Sequence, residues 1–147
     1  MSIFTFDVTK WARKANGNVD AAIRKIAFDM GARIIMRTPV RTGRARANWM
    51  FATGSPNITN TKDVDPYRVP VNGQGLGRAA AKDRLSDGLA SYSPRRDKSL
   101  FLTNSLPYIG KLEYGHSQQA PAGMVRVTLT EFAQVVQGSV VSVREGK

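Results

Sequence analysis

Catalysis on this chain would have to be assembled from very few groups. His116 is the only histidine and there is no cysteine, which removes thiolate nucleophiles, disulfides and thiolate metal sites together and leaves only all-oxygen metal sites. The nearest carboxylate cluster, Asp63 with Asp65, lacks the Gly-and-Glu frame of a calcium loop. Gly73, Gly75 and Gly77 superficially match a phosphate-cradling loop. No clean strand precedes them and no Gly-Lys-Ser/Thr follows, so a flexible loop is expected there. Hydrolases and transferases need a nucleophile with its base, paired carboxylates or a metal cluster. The sequence therefore predicts no enzyme, no cofactor and no metal site.

Positive charge is the chemistry the chain does carry. Twenty-two Lys and Arg against 11 Asp and Glu give a net charge of +11 over 147 residues, a field that attracts nucleic acid, anionic surfaces or acidic proteins. Arg13, Lys14, Arg24, Lys25, Arg33, Arg37, Arg41, Arg44 and Arg46 crowd the first third, opposed there by Asp7, Asp20 and Asp29. No helix-turn-helix spacing, zinc-finger pattern or interleaved aromatic and basic strand accompanies them. Any nucleic-acid contact is thus sequence-blind and steeply salt-dependent. Two readings stay open: a solvated basic surface on an assembling protein, or direct DNA or acidic-partner contact through Arg33, Arg37, Arg41, Arg95, Arg96 and Lys98.

The elements that must position these groups follow from periodicity. Ile3 to Val8 alternate in type and suggest a short strand or an N-terminal arm over residues 1–9. Asn18 is a good N-cap for a helix from Val19 to about Arg37, whose Val19, Ala22, Ile23, Ile26, Ala27, Met30, Ile34 and Ile35 form one buried stripe. Asp20–Arg24 and Asp29–Arg33 are acid-before-base pairs four apart on it. Pro39 biases Thr38 out of the helical region and Gly43 permits a sharp reversal. Beyond it, Ala45, Ala47, Trp49 and Phe51 alternate with Arg44, Arg46, Asn48 and Met50, which predicts a strand with the aromatics against the helix and the arginines outward.

Residues 53–99 lose this periodicity and read as a long loop insertion, with local helical propensity from Ala79 to Leu89 ended by Ser91-Tyr92-Ser93-Pro94. A second strand is expected over Leu100–Leu106, then a short helix capped by Ser105, with Pro107 in its first position and Gly115 as its stop. Pro121 is expected to open a last helix bearing Val125, Leu129, Phe132 and Val136 and closed by Gly138, its face across the same sheet. Val140, Val141 and Val143 leave helix and strand both open, with residues 139–147 as a C-terminal tail. The fold expected is α+β, one domain over residues 1–147: a long N-terminal helix and a C-terminal helix on a small, mainly antiparallel sheet. No leader is expected at Met1–Asp7, no apolar run reaches membrane-spanning length, and the absence of cysteine suits a reducing compartment.

Two segments, Thr38-Pro39-Val40-Arg41-Thr42-Gly43-Arg44-Ala45-Arg46 and Leu106-Pro107-Tyr108-Ile109-Gly110-Lys111-Leu112-Glu113-Tyr114-Gly115, together resemble the tail-completion (head–tail joining, or neck) proteins of tailed bacteriophages, the minor tail protein Z type among them. The shared pattern is a long first helix, a Pro-x-x-Thr-Gly turn followed by basic residues, a variable middle, a Pro-Tyr segment ending in Glu-Tyr-Gly, and a last helix introduced by proline. It covers roughly residues 15–52 and 99–137. Arg41 and Ala45 depart from the acidic residue and leucine often found around that turn. The resemblance implies a structural virion protein, not an enzyme. It would form a six-fold ring between the head connector and the tail tube or terminator, with packaged DNA in its lumen. Assembly would take place in the host cytoplasm, and no membrane is involved. Thr42, Gly43, Arg44, Arg46, Tyr108, Glu113, Tyr114 and Gly115 become the expected subunit or partner interface, with Glu113 meeting either its own helix or an arginine of the next subunit. The alternative is a small basic protein that binds nucleic acid without sequence preference.

Overall fold

Val19–Arg37 forms the longest helix, α1, with Asp20 in its first turn and Arg37 in its last, the charge order that a helix dipole favours. The structure, a computed structural model, describes residues 19–41, 43–59 and 85–145. The N-terminal arm, Asn18, Thr42, Asp63, Asp65 and the glycines at 73, 75 and 77 lie outside the described residues. After α1 come a single turn of helix, α2 (Arg44–Ala47), strand β1 (Met50–Thr53), a helical segment α3 at residues 85–90 and strand β2 (Leu100–Thr103). Three helices follow: α4 (Ile109–Glu113), α5 (Val125–Thr130) and α6 (Phe132–Arg144). Helices and one two-stranded antiparallel sheet make the described residues α+β.

The sheet is paired with Phe51 opposite Leu102 and Thr53 opposite Leu100. Opposite residues share a face, and this face meets the main core: Ile34 and Ile35 of α1, Trp49, Phe51, Leu85 and Leu89 of α3, with Ala120 and Met124 closing it. Trp49 and Phe51 therefore pack with α1, as their alternation suggests. The segment between the strands contributes to the core as well, because Leu85 and Leu89 stand four apart on one face of α3.

A second cluster joins Ala22 and Ile26 of α1 to Phe132, Val136, Val140 and Val143 of α6. The last helix thus lies along α1 rather than across the sheet, and Ser139 Oγ, donating to Asp29 Oδ2 at 3.1 Å, ties the two together. The single apolar stripe expected of α1 serves two cores. The two expected four-apart pairs give way to others: Asp20 faces Arg95, Arg24 donates to the Tyr92 carbonyl at 2.7 Å and Arg33 pairs with Glu131, while Asp29 makes a four-apart pair with Lys25 instead. Partners on other elements outcompete exposed helix pairs that are worth only a few tenths of a kcal/mol.

Several boundaries differ from the sequence expectation. The stretch Arg44–Ala47 is a turn of helix, not strand: Arg-Ala-Arg-Ala has high helix propensity, and alternation over four residues does not distinguish the two periods. Strand β2 stops at Thr103 because the Asn104 side chain turns the chain, accepting from the Leu106 N–H at 3.2 Å. Ser105 directs its hydroxyl to Asn57 O instead of capping, and α4 starts at Ile109, after Pro107. The last helix is two helices, starting at Val125 and breaking at Glu131. The second passes through Gly138 and carries residues 139–144, expected as a tail, to Arg144. Val140 is buried there, so burial of the valines decides for helix.

A Cβ added at Gly138, exposed inside α6, meets nothing within 4 Å. Gly138→Ala is therefore expected to stabilise the protein by about 0.5–1 kcal/mol, and Leu85→Ala to destabilise it by about 2–5 kcal/mol. Urea unfolding of both variants beside the parent checks the pair.

Candidate functional site

The carbonyls at the C-terminal end of α1 need partners that the helix cannot supply. Thr38 begins the job: its N–H donates to Ile35 O at 3.1 Å and its hydroxyl to Ile34 O at 2.8 Å. The indole N–H of Trp49 donates to the same hydroxyl at 2.9 Å. Arg46 completes it, with Nε on Thr38 O at 2.9 Å and Nη2 on Met36 O at 3.1 Å. A guanidinium is well placed here because the helix C-terminus carries partial negative charge. Arg46 is only 9% exposed, so the expectation that it projects outward from a strand, toward a subunit or DNA, is corrected: α2 turns it inward.

Gly43, at φ 85° in the left-handed region, starts that turn, and Ala47 N–H closes it on Gly43 O at 3.0 Å. Two asparagines fix its carbonyls. Asn48 Nδ2 donates to Arg44 O and Asn104 Nδ2 to Ala45 O, each at 2.8 Å. Asn48, expected on an outer strand face, is fully buried.

Across from α2 stands α4. Between them opens a cleft of about 860 Å³, with Pro39, Val40, Arg41, Gly43, Arg44 and Ala45 on one side and Tyr108, Leu112, His116, Ser117 and Gln119 on the other. Gln119 closes one end by pairing with the Val40 backbone in both directions: Val40 N–H donates to Oε1 at 2.9 Å, and Nε2 donates to Val40 O at 3.1 Å. Among the described residues the lining brings together the guanidiniums of Arg41 and Arg44, the His116 imidazole, the Tyr108 phenol and the apolar Val40, Ala45 and Leu112.

Glu113 and Tyr114, on the far end of α4, have other work. The Glu113 carboxylate accepts the N–H groups of Met124, Val125 and Arg126 at 2.8, 2.9 and 3.0 Å. It is thus a cap for α5 supplied from a different helix, and Arg126 adds its side chain at 3.2 Å. Burial works against ionisation of Glu113. The N–H donors of Arg126, Val125 and Met124 and the Arg126 guanidinium outweigh it and hold the carboxyl below the usual carboxylate range. The two chain segments touch so closely that a Cβ on Gly123, itself at φ 91°, would lie 2.5 Å from Glu113 O. Within the chain, Glu113 therefore serves the fold by holding the start of α5. Gly115, at φ 85°, follows the end of α4. Tyr114 is 77% exposed, with the Arg126 guanidinium 4.8 Å from its ring centre.

The remaining basic candidates divide sharply. Arg33 and Arg37 converge on Glu131, Arg33 Nη1 at 2.6 Å and Arg37 through two contacts, with Arg37 also donating to Thr128 Oγ1 at 2.9 Å. Hydrogen bonds from Arg37 first and Arg33 second hold the Glu131 carboxyl below its ordinary value. Arg96 pairs with Asp97 at 2.9 Å and Arg95 stands 3.5 Å from Asp20, both at the surface. Arg41 and Lys98 are exposed. The six residues expected to share a DNA-facing role are therefore dispersed. Sequence reasoning missed Gln119, Asn104 and Glu131, whose partners lie between 59 and 98 residues away and leave no local signal.

Among the described residues no group of three His, Cys, Asp and Glu is arranged to hold a metal ion, and no helix is long and apolar enough to cross a membrane. What the cleft offers chemically is recognition by cations, hydrogen bonds and apolar contact. No family model, curated protein or solved structure matches this chain.

Arg46→Ala is expected to cost about 1–3 kcal/mol by leaving buried carbonyls unpaired, while Arg41→Ala stays within about 0.5 kcal/mol; chemical denaturation separates them. Because the Glu113 pKa is lower in the folded than in the unfolded chain, its contribution is complete above the usual carboxylate value. It is lost as pH falls through the lower, folded value. Glu113→Gln should therefore destabilise the protein at neutral pH by about 1–3 kcal/mol. That gap should narrow on acidification, as read from unfolding midpoints at several pH values.

Proposed function

We propose that this chain is a structural subunit of the neck of a tailed bacteriophage. In this reading it forms a ring, six-fold in symmetry, that completes the tail and joins it to the connector of the DNA-filled head. It is assembled in the host cytoplasm and resides in the virion, and its role requires no turnover. The observation that carries the reading is the meeting of two distant segments. The Pro-x-x-Thr-Gly turn and the Pro-Tyr to Glu-Tyr-Gly segment, which bear the family resemblance, stand on opposite sides of one cleft through Pro39, Val40 and Gly43 against Tyr108 and Leu112. A concavity where, among the described residues, His116 has no carboxylate beside it in the lining suits an assembly role better than a catalytic one.

The charge fits a lumen role in reduced form. Arg33, Arg37 and Arg46 are engaged by partners within the chain, Arg33 at the surface, so contact with packaged DNA falls to other exposed cations such as Arg41 and Lys98. Such contact would be weak and sequence-blind. Residues Arg44, Tyr108 and Tyr114 then belong to the subunit or partner interface.

Native mass spectrometry and light scattering of the purified chain, alone and mixed with its connector, test the proposal. The expected result is a closed ring, or a ring formed on the connector, with DNA affinity that disappears at physiological salt. A monomer that never assembles and binds DNA tightly in a salt-sensitive way would overturn it in favour of a small basic nucleic-acid-binding protein.

A further inference from the structure

We infer that the loop joining α3 to β2, residues 91–99, together with Arg24 of α1, is the surface on which this chain holds the phosphate backbone of a nucleic acid. The inference rests on the reading that the chain meets DNA, and it applies to a monomer as well as to a ring. The guanidiniums of Arg24, Arg95 and Arg96 converge there. Arg24 donates to the Tyr92 carbonyl through Nε at 3.1 Å and Nη2 at 2.7 Å, and Arg96 donates to the carbonyl of the preceding residue, Ser91. Adjacent carbonyls thus draw together two cations from different elements. A carbonyl orients a guanidinium without cancelling its charge. Arg95 joins them from the same loop, 3.5 Å from Asp20, which stands one turn before Arg24 on α1.

The carboxylates of this cluster sit deeper than its cations. The side chains of Asp97 and Asp20 are 15% and 34% exposed, whereas those of Arg96 and Arg95, paired with them, are 68% and 84% exposed. Asp97 also accepts the Ser93 N–H at 2.8 Å, and the N–H groups of Arg96 and Asp97 both close on Ser93 O, at 3.0 and 2.7 Å. These bonds fix the loop in the shape that presents its arginines. A polyanion approaching this surface therefore meets guanidiniums first, and exposed ion pairs are weak enough for a phosphate to replace the carboxylate as partner. The fork of donors on a guanidinium matches phosphate oxygens in geometry as well as charge.

The rest of the loop favours phosphate over a protein partner. Ser91, Lys98 and Ser99 are exposed, while the aromatic side chain of the loop, Tyr92, is buried. Hydroxyl and cationic side chains are the usual donors to a nucleic-acid backbone, whereas protein interfaces are anchored by aromatic and other large side chains seated in pockets. The exposed apolar side chains of Ile58 and Tyr114 lie on other segments. Contacts of this kind ignore base identity, and each one adds to the salt dependence of binding.

Fluorescence anisotropy of a labelled DNA duplex of about 20 base pairs, titrated with the full-length protein at several salt concentrations, supplies the test. Arg95→Ala and Lys98→Ala should each lower the affinity roughly tenfold at about 50 mM salt and reduce the slope of log affinity against log salt by about one. Arg95→Glu should weaken binding further. Lys111→Ala, which removes the same charge from an exposed site on α4, should leave the slope unchanged. Unfolding midpoints equal to the parent's show that the variants are folded. A parent that fails to bind the duplex at low salt, a slope that falls as much for Lys111→Ala as for the loop variants, or parent slopes in both loop variants would overturn the assignment. So would a polyglutamate chain of equal charge that displaces the duplex as readily as unlabelled duplex does. Light scattering on the same samples keeps the two readings apart: a ring whose loop variants bind DNA as the parent does refutes this inference alone, and a monomer whose loop variants lose the slope refutes the ring alone.

Discussion

The C-terminal end of α1 is the point on which the rest of the described structure depends. A long helix that stops inside a fold leaves carbonyls facing other protein groups instead of water, and each must find a donor. Thr38 and Arg46 provide those donors, Trp49 donates to the Thr38 hydroxyl in turn, and in doing so they fix where the chain goes next. Arg46 can reach Met36 O and Thr38 O because α2 folds back under the helix end. Trp49 can both fill the core and touch Thr38 because β1 starts directly afterward. One capping problem thereby sets the direction of α2, the entry of β1 and the near wall of the cleft.

A second end-capping problem sets the far wall. The α5 N-terminus is approached by Glu113 from α4, with three backbone donors converging on one carboxylate. This bond holds the α4 segment against the turn before α5, and Gly123 permits the contact distance. Gln119 links the two walls through the Val40 backbone, and Asn104 holds the Ala45 carbonyl of α2. The cleft thus lies between two helix ends that are satisfied by remote side chains.

The strong positive charge has a more mixed meaning than its sum suggests. Arg24, Arg33, Arg37 and Arg46 each bind a carbonyl or carboxylate of a different element. They act as ties between α1 and the parts of the chain that follow it. The surface field that remains is carried by side chains such as Arg41 and Lys98. Among the described residues Arg41, Arg95, Arg96, Lys98, Lys111 and Arg126 are exposed, and Arg41 stands at the cleft.

Much of the architecture is legible in the chain itself. The three- and four-residue spacing of α1, the aromatic pair Trp49 and Phe51, the apolar run at Leu100 and the Gly43 reversal are local properties, set by backbone sterics and burial, and they read directly as elements. The short ambiguous stretches do not. Arg-Ala-Arg-Ala is equally a strand or a turn of helix until Arg46 has a helix end to cap, and the valines after Gly138 become helical because α1 offers them a groove. The site follows the same division. That Arg41 carries charge beside the Gly43 reversal is written in residue type and order. That Arg46 and Glu113 are internal caps while Arg41 faces outward was decided by tertiary structure alone. The reason is that a side chain's partner, unlike its propensity, lies at a sequence distance no local pattern encodes.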